Sequence, residues 1–340
     1  MRRYLLATSA LVVFTTPAAA QTVIGNARTE PVRTSTVKDG GPDAIRISGD
    51  GSVKPTSGTA VTMDSNNGVT NEGTIAISNA NGAVGIGASA GTTGDIVNTG
   101  TITIDETYAP TDIDNDGDLD GPFAVGSGRY GIRTYGAHSG KIVNDGTITV
   151  EGNDSAGIWL GGTQTGAFTH NGKTTVLGDN SVAIHAGDIV GDVRLAGTVT
   201  GTGANAVGAH FAGDIDGAMV VQGSITATGY RYPTPPSNTS KLDADDLLQG
   251  GSALIVEGDV SGGIVLATAP ANNDPNDNDE DKDGIDDSKE GNAAVVSYGA
   301  APAMVIGATD RDIAIGEVAA SGSKFGLIID GTISGNGVYT

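Results

Sequence analysis

Short stretches in which β-branched residues alternate with polar residues recur along this chain, each directly after a turn signal. The clearest copies are Asn71-Glu-Gly-Thr-Ile-Ala-Ile77, Asn98-Thr-Gly-Thr-Ile-Thr-Ile104 and Asn144-Asp-Gly-Thr-Ile-Thr-Val150. Asn-Gly and Asp-Gly pairs tolerate positive φ, and the alternation places successive side chains on opposite faces, as in a strand. Each copy therefore predicts a tight turn that leads into a β-strand.

A second phrase lies between these copies: a small residue, an apolar residue, a variable residue and usually another apolar residue, with a glycine nearby. Its first apolar position recurs at intervals of 26, 26 and 25 residues, at Ile132, Ile158, Ile184 and Ala209. A repeat of about 25 residues with two or three strand-like pieces is too short for a domain but long enough for one coil of a β-helix. No window shows sustained helical periodicity, which excludes a solenoid of α-helices.

These repeats predict an all-β protein that folds as a right-handed parallel β-helix, a solenoid with coils of about 25 residues and loop insertions. Each strand would pair with its equivalents in the coils above and below, so that Ile158, Ile184 and Ala209 are stacked neighbours. Columns of Ile, Val and Leu would fill a long, narrow core, and Gly and Asn would occupy the corners. Such a core needs few aromatic residues, in agreement with a sequence that is 4% aromatic.

Three intervals between copies are much longer than one coil. They predict loop insertions near residues 105–128, 230–250 and 268–292. The third interval runs from Leu254 to Val295, taken as equivalent positions of the second phrase. Because each excess falls at a similar place in the repeat, we expect all three insertions to emerge at one edge of the solenoid. The second insertion, with Tyr-Pro-Thr-Pro-Pro at 232–236, is typical of an exposed, partly polyproline loop.

The third insertion contains an acidic loop, Asp279-Glu-Asp-Lys-Asp-Gly-Ile-Asp-Asp-Ser-Lys-Glu290. Its carboxylates are spaced two apart, Gly284 stands at loop position six, and a glutamate stands at position twelve. This arrangement suits a hard cation that takes six to eight oxygen ligands. The loop resembles the calcium loops of EF-hands and thrombospondin type 3 repeats. The resemblance implies calcium ligands at Asp279, Asp281, Asp283, Asp287 and Glu290.

The first insertion contains a related loop in which carboxylates surround Gly117. It departs further from the calcium-loop pattern, because Phe123 stands where the glutamate would be. Its candidate calcium ligands are Asp112, Asp114, Asp116 and Asp120. The alternative for both loops is an acidic, solubilising, disordered segment. Our hypothesis is that the loops are loose before export and are ordered by calcium outside the cell.

The N-terminus has the pattern of a secretory signal peptide over residues 1–20. Arg2 and Arg3 give a positive start, an apolar run extends from Leu5 to Phe14, and three alanines at 18–20 supply the cleavage pattern. The apolar run is about half as long as the ~20 residues that a membrane-spanning helix needs. We therefore expect export, and a mature chain over residues 21–340 that works outside the cytoplasm.

Composition narrows the possible functions. The chain carries a net charge of -22, which disfavours nucleic-acid binding through phosphate contacts. It has no cysteine, so disulfides cannot stabilise an exported domain. Its 54 glycines do not follow the collagen period and instead indicate many tight turns.

No catalytic motif stands out, and we expect no enzyme activity. The sequence has four histidines, but no HExxH, no G-x-S-x-G and no P-loop. The repeat instead predicts an outward contact stripe for a ligand or partner in four successive coils, or alternatively four ordinary surface side chains: Arg133, Trp159, His185 and His210.

A second column consists of aspartates that each follow a glycine, at Asp188, Asp214 and Asp259. Such residues are typical of turns, whereas stacked carboxylates could instead share a cation.

The signal peptide, the Asn-x-Gly-Thr-Ile-Thr-Ile copies, the Gly, Thr and Asn richness and the lack of cysteine together resemble the passenger domains of Gram-negative autotransporters. The resemblance covers essentially the whole mature chain and rests on the style of the repeat. It implies a β-helix that folds outside the cell, and an outer-membrane β-barrel that is missing from this chain. The expectation is that this chain is the N-terminal fragment of a longer protein.

By that resemblance, the expected function is a surface-exposed or secreted passenger that presents loops for adhesion, self-association or matrix contact. Its partners would be cell-surface or matrix glycans or proteins, or another copy of itself. One alternative is a polysaccharide-active enzyme similar to pectate lyases, which would need carboxylates, often calcium, and a basic residue on one sheet face. Another is a structural surface-coat protein.

Overall fold

The computed structural model describes residues 21–113, 115, 117, 119–234, 238–271, 273–274, 276–279, 286–319 and 324–338. Within these residues the chain is an all-β solenoid, a parallel β-helix as the repeat predicts. Strands follow one another around each coil and pair in parallel with their equivalents in neighbouring coils. The predicted signal peptide, residues 1–20, lies outside the described residues.

The strands of the described residues, numbered in chain order, form four sheets that we name A to D. Sheet A comprises β1 (Gln21–Ile24), β4 (Ala44–Ile47), β7 (Val69–Asn71), β11 (Ile96–Asn98), β15 (Ile142–Asn144), β19 (Phe168–His170), β23 (Val193–Leu195), β27 (Met219–Val221), β30 (Ile264–Leu266) and β33 (Leu327–Ile329). Sheet B comprises β2 (Ala27–Arg28), β5 (Ser52–Val53), β8 (Thr74–Ser78), β12 (Thr101–Asp105), β16 (Thr147–Glu151), β20 (Lys173–Leu177), β24 (Thr198–Thr202), β28 (Ser224–Thr228), β31 (Ala294–Tyr298) and β34 (Thr332–Asn336).

Sheet C comprises β3 (Val32–Arg33), β6 (Thr59–Met63), β9 (Val84–Ala88), β13 (Tyr130–Thr134), β17 (Ala156–Leu160), β21 (Val182–Ala186), β25 (Val207–Phe211), β29 (Leu254–Val256) and β32 (Met304–Ile306). The short sheet D comprises β10 (Thr92–Thr93), β14 (His138–Ser139), β18 (Gln164–Thr165), β22 (Ile189–Val190) and β26 (Ile215–Asp216). A regular coil therefore passes through A, B, C and D in turn. Short 3-10 helices span Thr239–Lys241 and Asp287–Lys289.

The core is built from columns of aliphatic side chains, one residue per coil. Ile158 pairs with Ile184, and Ile184 pairs with Ala209. All three are fully buried, which confirms that the second phrase marks stacked positions. Along the central strands of sheets A and B, such as β11, β12, β15 and β16, every second side chain is buried, and the burial of these columns is the main stabilising contribution.

A ladder of buried asparagines runs along the inside of sheet A. Asn71, Asn98 and Asn144 are stacked in register and fully buried. The Nδ2 of Asn71 donates to Oδ1 of Asn98 at 2.7 Å, and the Nδ2 of Asn98 donates to Oδ1 of Asn144 at 2.7 Å. Each amide thus donates to the next one, which offsets much of the cost of burying these polar side chains, although the Oδ1 of Asn71 at the start of the ladder accepts no hydrogen bond from the described residues.

The glycines two residues after this column, which continues from Asn144 to His170, are required by close stacking of the coils. A Cβ on Gly146 would lie 2.1 Å from the carbonyl oxygen of Gly100, and one on Gly172 would lie 2.0 Å from that of Gly146. Neither glycine has a positive φ, contrary to the expectation for this turn. Positive φ in residues other than glycine occurs instead mainly where sheet B leads into sheet C, as at Asp154, Asn180 and Asn205.

The insertions leave the solenoid at two corners. The first connects β12 to β13 and the second connects β28 to β29, so both emerge between sheets B and C. The third connects β30 to β31, between sheets A and B, and the prediction of a single edge is wrong for it. Val295 resembles the second phrase but is not equivalent to Leu254. It pairs with Ile225 in sheet B, whereas the partner of Leu254 in sheet C is Met304.

Candidate functional site

The four residues of the predicted contact stripe lie side by side on the outer face of sheet C. Arg133 is in register with Trp159, Trp159 with His185, and His185 with His210. All four side chains are partly exposed. The periodicity of the sequence therefore brings these residues together, and their role as a contact surface stays a prediction.

The rings of the stripe stack on one another along the solenoid. Trp159 and His185 have centroids 3.9 Å apart and planes inclined by 22°, and His185 meets His210 edge-on at 5.2 Å. The Nε2 of His210 lies 2.8 Å from Oε2 of Glu257. One face of Trp159 is thus covered by His185, and the ring of Tyr130 meets Trp159 edge-on with centroids 6.1 Å apart.

Arg133 contributes a permanent positive charge at one end of the stripe, and His185 contributes none at neutral pH. Burial lowers the pKa of His185 to about 4, and the neighbouring His210 lowers it as well, so His185 is neutral at pH 7. The guanidinium carbon of Arg133 lies 4.1 Å from the ring centroid of Tyr130 and 4.8 Å from that of Tyr135. Two tyrosine rings thus hold this cation in place.

The first and second insertions, which lie far apart in sequence, are joined in space. The backbone N–H of Gly121 donates to Oδ2 of Asp245 at 2.8 Å, and Nη2 of Arg231 donates to the carbonyl oxygen of Gly121 at 2.8 Å. The Arg231 guanidinium also lies 4.5 Å from the ring centroid of Phe123, which is buried. We call this feature the joined loop surface, formed by the described residues within 106–128 and 230–250.

The joined loop surface contains an acidic cluster that includes one of the predicted calcium ligands. Carboxylate oxygens of Asp120, Asp243 and Asp245 lie within 4.8 Å of one another. A side-chain hydrogen bond with Asp245 raises the pKa of Asp243, as expected for close carboxyl groups. Oδ2 of Asp112 accepts from the N–H of Gly117 at 3.2 Å, and the other predicted ligands of this loop, Asp114 and Asp116, lie outside the described residues.

The acidic loop of the third insertion is described only at its ends. Asp281 and Asp283 lie outside the described residues, whereas Asp279, Asp287 and Glu290 lie within them. The backbone N–H of Asp287 donates to the carbonyl oxygen of Asn278 at 2.8 Å, which closes the base of the loop. Glu290 is 8% exposed, and its Oε1 accepts a hydrogen bond from Nε2 of Gln222 on the solenoid body. A bidentate calcium contact at Glu290 would compete with that bond.

The aspartate column is explained by turn chemistry. Oδ1 of Asp188 accepts from the N–H of Asp214 at 3.1 Å, and Oδ1 of Asp214 accepts from the N–H of Asp259 at 2.9 Å. The same atom of Asp214 lies 2.6 Å from Nη2 of Arg311. Each carboxylate therefore joins one coil to the next through a backbone donor.

A buried ion pair fixes the base of the first insertion, and the sequence reasoning missed it. Nη1 of Arg129 lies 2.8 Å from Oε2 of Glu106, and the side chains are 2% and 4% exposed. Burial opposes ionisation of Glu106, but hydrogen bonds from the N–H of Val125, from Arg129 and from the N–H of Gly126 outweigh it and hold the pKa of Glu106 below its ordinary value. The pair joins the first and last residues of the loop.

Sequence reasoning also missed the members of the joined loop surface outside the calcium-loop pattern, namely Arg231, Asp243 and Asp245. The sequence indicates only that the first and second insertions fall at the same place in the repeat. Insertions at the same place emerge from the same corner of the solenoid, where they can contact each other. The individual contacts depend on loop conformation, which no periodicity encodes.

Comparison with models of known protein families, with curated proteins and with solved structures finds no match to this chain. The class of protein is therefore set by its architecture, which is that of a parallel β-solenoid. Among the described residues, no helix has the length and apolar character needed to cross a bilayer.

Proposed function

We propose that this chain is an exported β-solenoid, displayed at the cell surface or secreted, that presents its loops for adhesion, self-association or matrix contact. In this proposal it acts as a binding protein without enzyme activity, in the manner of the autotransporter passenger domains that its repeats resemble. The observation that carries the proposal is the joining of two insertions into one surface on a rigid stack of coils. Loops held by a rigid body are a common location for binding residues.

The joined loop surface has the exposed apolar groups that a contact surface needs. Ile113 is 72% exposed and Leu247 is 44% exposed, and both flank the cluster of Asp120, Asp243 and Asp245. An exposed apolar residue gains most from burial in a partner, and carboxylates around it favour a partner with basic groups. A protein or glycan of the cell surface or matrix that offers apolar contacts and basic groups fits this description, as does a basic region of another copy.

We test the contact proposal with the purified chain, using immobilised matrix proteins, a panel of cell-surface glycans, and sedimentation for self-association. Wild-type protein should bind at least one of these partners. The double variant Ile113→Asp/Leu247→Asp should bind at least tenfold more weakly, because it adds charge at the two exposed apolar positions. The control Val190→Asp alters a residue on sheet D that is as exposed as Leu247, and it should bind like the wild type.

Two results would contradict this proposal. Wild-type protein that neither binds a partner nor self-associates would remove its basis. Equal weakening by Val190→Asp would show that added charge anywhere on the solenoid is sufficient and that the joined loop surface has no special role.

Calcium binding by the two acidic loops is part of the proposal. It is supported by the ligand spacing around Gly117 and Gly284, and by the position of Asp120 beside Asp243 and Asp245. Calorimetric titration of the wild type with calcium should release or absorb heat. Asp279→Asn/Asp281→Asn should remove the contribution of the third insertion, and Asp50→Asn, at an exposed turn elsewhere, should not. A wild-type titration without calcium heat would rule out both sites.

A further inference from the structure

The corner between sheets A and B carries one outward side chain per coil, directly before the stacked glycine. In five successive coils this position is held by Thr99, Asp145, Asn171, Ala196 and Gln222. Ala196 has the smallest side chain of the five. It interrupts the row and leaves a gap between the amides of the coils before and after it.

The third insertion returns to the solenoid beside this gap. Together they enclose a groove of about 500 Å³, within the usual range for small-molecule sites. The groove is lined by Asp145, Asn171, Ala196, Ser288, Glu290 and Gly291. Glu290 is buried, whereas Asp145, Asn171 and Ser288 are exposed. The groove thus has a buried carboxylate and an open, polar rim.

A chain of hydrogen-bonded side chains fixes the two carboxylates of the groove. The Nδ2 of Asn171 donates to Oδ1 of Asp145 at 2.7 Å, and Oδ1 of Asn171 accepts from Nη1 of Arg194. The Nε of Arg194 donates to Oε1 of Gln222 at 3.0 Å, and Nε2 of Gln222 donates to Oε1 of Glu290. The five side chains come from four successive coils and the insertion, so their positions depend on the solenoid rather than on a single loop. Such a network orients polar groups before a ligand arrives.

We propose that this groove binds one residue of a neutral saccharide. Carboxylate, amide and hydroxyl groups accept and donate hydrogen bonds to sugar hydroxyls, and the methyl group of Ala196 offers a small apolar contact to the C–H groups of a ring. The carboxylates of Asp145 and Glu290 outnumber the single guanidinium of Arg194, which disfavours an anionic sugar. Four of the six lining residues have polar side chains, which disfavours a wholly apolar ligand. The site lies on the A–B corner, away from the B–C corner at which the joined loop surface emerges.

Saturation-transfer NMR on the full chain tests this assignment. The probes are methyl glycosides of glucose, galactose and mannose, N-acetylglucosamine, glucuronic acid and putrescine. We expect transfer to at least one neutral saccharide, with a dissociation constant of about 1 mM for a single sugar residue. We expect none to glucuronic acid.

Variants at the corner locate the binding. Ala196→Gln places in the gap the side chain that already stands at position 222, and it should weaken saccharide binding at least tenfold. Val190→Gln adds the same side chain at an exposed position of sheet D, away from this corner, and should bind like the wild type. Glu290→Gln retains a partner for Gln222 but removes the charge, and it should weaken binding several-fold. Circular dichroism and melting temperature check that each variant is folded.

Three results would overturn the proposal: no transfer to any neutral saccharide, unchanged binding by folded Ala196→Gln, or stronger binding of putrescine than of every sugar. Ala196→Gln and Val190→Gln alter neither the joined loop surface nor an acidic loop, so failure here leaves the proposed surface function standing. Glu290→Gln also removes a predicted calcium ligand, and its saccharide binding is therefore measured without calcium. Conversely, loss of partner binding by Ile113→Asp/Leu247→Asp leaves this groove intact.

Discussion

Replacing Arg129 with methionine should lower the free energy of unfolding by about 3–5 kcal/mol. The guanidinium is 2% exposed, pairs with Glu106, and also donates from Nε to the carbonyl oxygen of Ala80 at 3.0 Å. Methionine fills much of the same volume but leaves the carboxylate of Glu106 buried without its countercharge. Urea unfolding followed by circular dichroism measures the loss. Because the pair closes the first insertion, limited proteolysis within 106–128 should accelerate as well.

The double variant Glu106→Gln/Arg129→Met is the matched control. It removes both charges, so it should be more stable than Arg129→Met alone. If the single variant unfolds like the wild type, the ion pair does not hold the base of the insertion. If the double variant is the less stable of the two, loss of packing rather than an orphaned charge explains the effect.

Replacing Asn98 with leucine should lower the free energy of unfolding by about 2–5 kcal/mol. The change removes the acceptor for the Nδ2 of Asn71 and the donor to the Oδ1 of Asn144, and both of these neighbours are fully buried. Each orphaned buried group costs about 1–3 kcal/mol. Chemical denaturation of the purified chain gives the value.

Converting the whole ladder to leucine should recover part of that stability. The triple variant at Asn71, Asn98 and Asn144 leaves no amide without its partner, and the same column already holds Leu195 and Val221 further along sheet A. A triple variant that is less stable than Asn98→Leu would show that the amides contribute more than mutual hydrogen bonding. An unaffected single variant would show that the ladder contributes little.

The coil architecture could be predicted from the sequence because its information is periodic. Ile158, Ile184 and Ala209 recur after one circuit each, and a parallel stack needs only that recurrence to set its register. The outward stripe from Arg133 to His210 follows from the same register. Alternation of apolar and polar residues then decides which side chain of each strand faces the core.

The remaining features depend on information that is not periodic. The residues next to Val295 in sequence resemble the phrase that marks sheet C. Its place in sheet B is set instead by the length of the third insertion. Contact between Arg231 and Gly121 depends on how two loops fold and meet. The groove at Ala196 arises because a small residue in one coil lies beside a loop from a later coil. A repeat pattern describes what the coils share, so it does not predict a feature that occurs in only one of them.

The stacking of one coil on the next is the claim on which the sites depend, and distances between spin labels test it most directly. The chain has no cysteine, so Thr62→Cys, His210→Cys and Val305→Cys allow specific labelling in pairs. These positions belong to one outward column of sheet C, with five coil steps between the first two and seven between the first and last. At ~4.8 Å per coil, double electron–electron resonance should give narrow distributions of the distance between the two labels. We expect about 24 Å for labels at positions 62 and 210, and about 34 Å for labels at positions 62 and 305. Broad distributions, or a distance that does not increase from the first pair to the second, would contradict the stacked solenoid.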